Sequence, residues 1–338
     1  VGPYKVAVIG GDGIGPEVVA EALKAVARLG VKLDVVELSL GAAHWLRTGE
    51  VLSDDTLSVL SRQDAILLGA IGPPIGDRAV PPGLLERGLL LRMRFELDLY
   101  VNLRPFSVVG PGGEVERELV VVRENTEGPY AGEGGILRKG SPAEVATQGS
   151  VNTRFGVERC VRFAFGLASG RARRRLDLVH KTNVLTFAGD LWQRTFEAVA
   201  AEHPEVETGY AHVDAACIHL VEHPERFEVI VTDNLFGDIL TDLAGALMGG
   251  IGLAASANLR PERDGPSLFE PVHGAAHDIA GTGRANPLAA IRSASMMLEH
   301  LGEVDAGRRL LAAVYQVAAE GTVGRTTAEI GDAVARRL

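Results

Sequence analysis

Short apolar runs alternate along the chain with longer stretches in which apolar residues recur at three- and four-residue spacing. That alternation marks strands and helices taking turns. KVAVIG at Lys5–Gly10 is the first apolar run, and an amphipathic helix follows to about Leu29. Leu33–Leu38 and Ala65–Gly69 read as the next strands, with a helix over Asp54–Gln63 between them. Ala70–Gly83 is rich in Gly and Pro and reads as a loop. Leu84–Phe106 begins with helical spacing and ends extended around Tyr100–Phe106. Further strands are expected at Glu118–Asn125, Ala146–Thr153, Leu176–Lys181, Glu207–Val213 and Ser267–His273, with helices at Phe155–Ala168, from about Ala188 to Glu202, and after Asp214. Leu253–Asn258, rich in small residues, reads as a loop. Helices over Pro287–Leu301, Ala306–Ala319 and Thr327–Leu338 close the chain. This order predicts an α/β fold around a largely parallel sheet.

Glu228–Gly250 concentrates chemistry on this pattern. VIVTD is a buried strand, and FGDILTDLAGAL after it is a helix ended by a Gly pair. Asp238 and Asp242 lie four residues apart, so both carboxylates share one helix face. Like charges at that spacing destabilise a helix slightly. A hard divalent cation with oxygen ligands offsets that cost. Two solvated acids on an outer face is the other reading.

Composition narrows the class. A chain of 338 residues accommodates two domains, and 46% hydrophobic with 23% charged residues is ordinary for a globular protein. The net charge of −10 argues against nucleic-acid binding. The basic run Arg171-Ala172-Arg173-Arg174-Arg175 reads as a solvated connection. Cys160 and Cys217 fit neither a zinc site nor a disulfide framework, so a reducing compartment, the cytoplasm, is expected. The chain opens on a polar turn and a strand, so no signal peptide is expected. No apolar run reaches about 18 residues, so no membrane association is expected either.

Other residues carry candidate roles. Gly11, Gly13 and Gly15 resemble a dinucleotide fingerprint, but Pro16 breaks the G-x-G-x-x-G spacing and suits a first helical turn instead. Arg92, Arg94 and Arg104 fall in one short span, and Arg123 ends a strand; guanidinium suits bidentate grip on carboxylates. Tyr130, in a Gly-rich loop, is a candidate proton donor. Lys181 ends an apolar strand, where burial lowers an ammonium pKa towards that of a general base. Asp214, Asp238 and Asp242 fall at strand ends or on the helices that follow, where open α/β sheets bind ligands.

Several motifs then occur in order: GDGIGPE at 11–17, LLLRMRFELDLYVNLRP at 89–105, VVRENTEGPY at 121–130, HKTNVL at 180–185, TDNLFGDILTDLAG at 232–245, FEPVHGAAHDIAG at 269–281 and ANPLAA at 285–290. Over nearly its whole length the chain resembles the isocitrate/isopropylmalate family of β-decarboxylating dehydrogenases. The resemblance implies two α/β domains sharing a mixed sheet, with a non-Rossmann NAD site. Residues 1–98 and 253–338 would form the cofactor domain, and 99–252 the substrate, metal and dimerisation domain. The implied reaction is NAD-dependent oxidative decarboxylation of 3-isopropylmalate in leucine synthesis. Another 3-substituted malate, such as isocitrate, homoisocitrate or tartrate, is the alternative substrate, and a non-catalytic regulatory subunit the remote one.

Residue by residue, the resemblance implies that Arg94, Arg104 and Arg123 hold the substrate carboxylates. Asp214, Asp238 and Asp242 would bind Mg²⁺ or Mn²⁺. Lys181 would act as base and Tyr130 as acid, with Lys181 and Asp214 reaching the partner's site in a homodimer. Glu86, Asn183, Glu270, His273, Gly274, Ala276, Asp278 and Asn286 would bind NAD, with acidic Asp278 disfavouring a 2′-phosphate. Leu89, Leu90 and Leu91 would receive an isopropyl group and desolvate a carboxylate. The Glu86–Arg94 segment is one residue longer than in many members. His277 stands where Pro is usual, and Ala275 where Ser is frequent.

Overall fold

The computed structural model describes residues 2–338. β1 (Tyr4–Gly11) leads into α1 (Gly15–Arg28), with Pro16 in its first turn. Next come β2 (Leu33–Glu37), α2 (Ala42–Thr48), α3 (Asp54–Leu60) and β3 (Ala65–Ala70). A π-helical turn at Glu86–Leu91 passes into α4 (Arg92–Glu96), then β4 (Val101–Val109) and β5 (Val115–Glu124). β6 (Gly134–Leu137) and β7 (Val145–Gln148) form an exposed antiparallel arm. α5 (Arg154–Ser169), β8 (Arg175–His180), α6 (Thr186–Ala200), β9 (Glu207–His212), α7 (Val213–Glu222), β10 (Val229–Thr232) and α8 (Asn234–Leu247) follow. The chain ends with β11 (Ala255–Leu259), β12 (Ser267–Pro271), α9 (Leu288–His300), α10 (Val304–Glu320) and α11 (Thr327–Ala335).

Among the described residues, the strands of the main sheet follow the hydrogen-bonding order β2-β1-β3-β12-β11-β4-β5-β10-β8-β9. The chain divides into two compact units. Unit 1 comprises the chain up to Leu99, Arg104–Glu118 and Met248–Leu338; unit 2 comprises Tyr100–Leu103 and Leu119–Leu247. In unit 1, β2, β1, β3 and β12 run parallel and β11 is antiparallel to β12. α9 packs on β11 and β12 and is buried nearly all round, its Arg292, Ser293 and Ser295 included. In unit 2, β5, β10, β8 and β9 are parallel, with α5 packed against α6 and α7 against α8.

The three early glycines serve packing. A Cβ on Gly11 would lie 2.0 Å from the Ala70 carbonyl, and one on Gly13 1.8 Å from that of Ala275. Buried Asp12 between them accepts backbone N–H groups from Ala42, Ala43 and Gly72. This carboxylate caps α2 from a distance, so α2 carried no local start signal.

Three expectations change. The stretch read as a loop at Leu253–Asn258 contains β11; its small residues fit a fully buried strand under α9. Of the strand expected at Ala146–Thr153, Val145–Gln148 pairs with β6, in the open, and Val151 makes an isolated bridge to Gly128. The basic run is clasped rather than simply solvated: Arg173 and Arg175 donate backbone N–H groups to buried Glu228, and Arg175 pairs with Asp177.

Candidate active site

In unit 2 the site is built on the first turns of α8. Asp233 accepts the Phe236 N–H at 2.8 Å and caps the helix. Asn234 is thereby left to turn inward. Its Oδ1 accepts from Arg123 Nη2 (2.8 Å) and Nε (3.1 Å), and its carbonyl accepts from Nε at 2.7 Å. Its Nδ2 donates to the Glu127 carbonyl at 3.0 Å. Gly237 gives the arginine room, because a Cβ there would lie 2.4 Å from Arg123 Cγ. Arg123, 1% exposed, then places Nη1 2.6 Å from Asp238 Oδ1. Tyr130 donates its hydroxyl to Asp238 Oδ2 at 2.8 Å, and the guanidinium carbon lies 5.3 Å from its ring centre. Asp242 is exposed one turn further along.

Lys181 and Asp214 make a second group. β8 stops at His180, and Lys181 opens a turn whose Val184 and Leu185 N–H groups return to its carbonyl. Asn183 is exposed in that turn. Lys181 Nζ sits 2.7 Å from Asp214 Oδ1 and is half-buried, not sealed in apolar surroundings. Asp214 lies in the first turn of α7, and the hydrogen bond from Lys181 holds its carboxyl below the usual range. The Tyr210 hydroxyl braces the turn on both sides of Lys181, donating to the His180 carbonyl and accepting the Thr182 N–H. Among the described residues, no three His, Cys, Asp or Glu side chains gather as a metal site, so Asp214 does not join Asp238 and Asp242.

In unit 1 a cavity of 190 Å³ opens at the carboxyl end of β3. Arg94, Arg104, Leu90, Glu270, His273 and Gly274 line it, with Ile71 and Ser256. Arg94 Nη2 is 3.8 Å from Glu270 Oε1, which also accepts from Asn258 Nδ2 at 2.8 Å. Arg104 is buried to 7% exposure. Burial pulls His273 below its ordinary pKa, which favours a neutral ring. Two guanidinium groups beside a leucine suit an anion carrying an apolar substituent. Leu89 does not join them: it is fully buried in the core against residues such as Met93 and Leu97, and Leu91 is half-buried. Glu86 is exposed at the start of the π turn, and Ala276 (φ +39°) and Asp278 lie on the loop after β12. Asn286 lines a separate cavity of 310 Å³ with Arg284, Thr322 and Arg325.

A profile for the family described as isocitrate/isopropylmalate dehydrogenase matches residues 5–336. The chain belongs to the isocitrate/isopropylmalate dehydrogenase family. It is 57% identical to the 3-isopropylmalate dehydrogenase of Clavibacter michiganensis subsp. michiganensis, over 98% of this chain and 97% of that one. Identity to the Thermobifida fusca 3-isopropylmalate dehydrogenase is also 57%, over 99% and 97%. The solved isocitrate dehydrogenase of Methylococcus capsulatus superposes with a TM-score of 0.88 at 38% identity, covering 99% of each chain. As a member of this dehydrogenase family the chain is a decarboxylating enzyme that uses NAD and a divalent cation, Mg²⁺ or Mn²⁺.

Proposed function

We propose that this dehydrogenase oxidises and decarboxylates 3-isopropylmalate to 4-methyl-2-oxopentanoate and CO₂ with NAD, in leucine synthesis. The observation that carries the substrate is Leu90 beside Arg94 and Arg104 in the unit 1 cavity. Relatives named for this activity, 57% identical over nearly their whole length, support it.

Arg94, Arg104 and Arg123 hold the substrate carboxylates. Asp238 and Asp242, with the partner subunit's Asp214, hold the divalent cation; an all-carboxylate donor set fits a hard ion. A cation held there would supply Lewis acidity at the substrate oxygen, and bound NAD would supply the hydride acceptor. The chain's own residues move the protons. Lys181 Nζ takes the hydroxyl proton, and the Tyr130 hydroxyl delivers one to the carbon that CO₂ leaves. Glu86, Asn183, Glu270, His273, Gly274, Ala276, Asp278 and Asn286 serve the cofactor. Unit 1 is the cofactor-binding part, and unit 2 carries the metal and dimer contacts.

The active unit is a homodimer. Supporting this, Lys181–Asp214 and Arg123–Asp238–Tyr130 form separate clusters within unit 2. Ile218 and Val221 on α7 and Ile239 on α8 are each more than half exposed, an apolar surface suited to a second copy. Free Cys160 and Cys217 fit a cytoplasmic enzyme. The test is purified protein with NAD, Mn²⁺ and 3-isopropylmalate. NADH and CO₂ should form in equal amounts; their absence, or NADH without CO₂, contradicts the proposal.

A further inference from the structure

Glu124 ends β5 directly after Arg123 and has no part in the chemistry assigned to this site. Its carboxylate, 1% exposed, folds back over the chain that follows. Oε1 accepts the Thr126 N–H and the Thr126 hydroxyl, both at 2.8 Å, and Oε2 accepts the Glu127 N–H at 2.8 Å. Thr126 Oγ1 in turn accepts from Arg159 Nη2 at 3.2 Å, and that guanidinium lies 4.0 Å from the Tyr100 ring centre.

The loop gathered in this way leads to Tyr130. The Glu127 carbonyl accepts from Asn234 Nδ2 at 3.0 Å, its side chain accepts the Thr153 N–H at 2.8 Å, and the Gly128 N–H donates to the Val151 carbonyl at 2.7 Å. A single tight turn at Pro129–Ala131 then aims the Tyr130 hydroxyl at Asp238 Oδ2, 2.8 Å away.

A carboxylate buried this far costs stability unless donors surround it. Here they offset the cost only in part: burial pushes Glu124 up to about 7, and Glu127 on the same loop adds to the rise. What a carboxylate offers is two oxygens that both accept. A neutral amide in its place would satisfy Thr126 and set its own N–H group against the Glu127 N–H.

We propose that Glu124 is a positioning residue for catalysis: by gathering the Thr126 and Glu127 N–H groups it sets the path of the loop and so holds the Tyr130 hydroxyl where the proton is delivered. The inference rests on the reading of Tyr130 as the acid, and one arm of its test does not depend on turnover.

The variant is Glu124→Gln in the full chain. By hydrogen exchange with mass spectrometry, peptides spanning residues 125–131 should exchange about tenfold faster than in wild type, with α5 unchanged. Unchanged exchange in that segment overturns the fastening whatever the substrate is. In the second arm, Glu124→Gln should lower kcat for 3-isopropylmalate by about tenfold and leave KM within about twofold. In a Tyr130→Phe background the same change should lower the residual kcat by less than about twofold, because its effect passes through the hydroxyl already removed. Losses that multiply in the double variant, or a KM raised as much as kcat falls, overturn the positioning role. Thr126→Val takes one donor from the same carboxylate and is the milder variant; it should move both readouts the same way, and no movement in either overturns the proposal. Wild-type protein inert towards 3-isopropylmalate would instead refute the proposed function, with the exchange arm still deciding how the loop is held.

Discussion

Asn234→Ala tests how the arginine at the centre of unit 2 is held. In the variant, Arg123 Nε keeps its bond to the backbone carbonyl of residue 234. Nη2 loses the Oδ1 acceptor at 2.8 Å, while the guanidinium remains 1% exposed. A buried charged donor left without its acceptor costs about 1.5–3 kcal/mol. The Glu127 carbonyl also loses the Nδ2 donor, worth about 0.5–1.5 kcal/mol. The two losses share one side chain and add imperfectly, so the expected total is about 2–4 kcal/mol. Urea unfolding monitored by circular dichroism measures it. Asn234→Asp is the control, since it keeps the acceptor for Arg123 and discards the donor to Glu127. It should recover most of the stability and the substrate KM, with kcat still reduced because the strand-to-loop link towards Tyr130 is cut. A loss below about 0.5 kcal/mol in Asn234→Ala, with unchanged KM, would mean that the Asn234 side chain does not hold Arg123.

Burial pushes Glu124 up to about 7 from 4.5, although Thr126 and Glu127 donate hydrogen bonds to it. Its folded pKa is raised, so its contribution to stability is complete below about pH 4.5 and falls by about 3 kcal/mol as pH rises to about 7; Glu124→Gln should flatten that slope in denaturant titrations. Asp12→Ala strips three backbone N–H groups of their acceptor and should cost about 3 kcal/mol in the same assay, with Asp12→Asn recovering part of it. Lys181→Ala and Asp238→Ala should each be inactive, yet subunits mixed by reversible dissociation should regain about a quarter of wild-type activity, because half the dimers are mixed and each carries one intact site. Mixtures that stay inactive would show that no site is shared. Tyr210→Phe removes the hydroxyl bracing the turn at Lys181 and should lower kcat more than it raises KM in steady-state kinetics.

Much of this layout was legible in the chain itself. Short apolar runs and helical spacing mark most strands and helices to within a few residues, and Pro16 argues against the glycine fingerprint at 11–15. Where the structure departs from the local pattern, the deciding information is tertiary. Ala255–Leu259 resembles a loop because its residues are small, and only α9 packed over it makes small residues suitable for a strand. α2 is capped by Asp12, 30 residues upstream, which no local signal betrays. Leu89, Leu90 and Leu91 look alike in sequence, and the π turn decides which of them meets the cavity. Asn234 carries a cue in the sequence: of Asp233 and Asn234, only one caps α8, which leaves the other available for Arg123.

On the proposed reading, the pocket beside Arg94 and Arg104 accepts a branched aliphatic substituent on malate. Comparing kcat/KM for 3-isopropylmalate with that for isocitrate, at saturating NAD and Mn²⁺, tests it most directly. A carboxylate set against Leu90 loses hydration without gaining a partner, so the ratio should favour 3-isopropylmalate by at least about a hundredfold. Equal or greater efficiency with isocitrate would contradict the account.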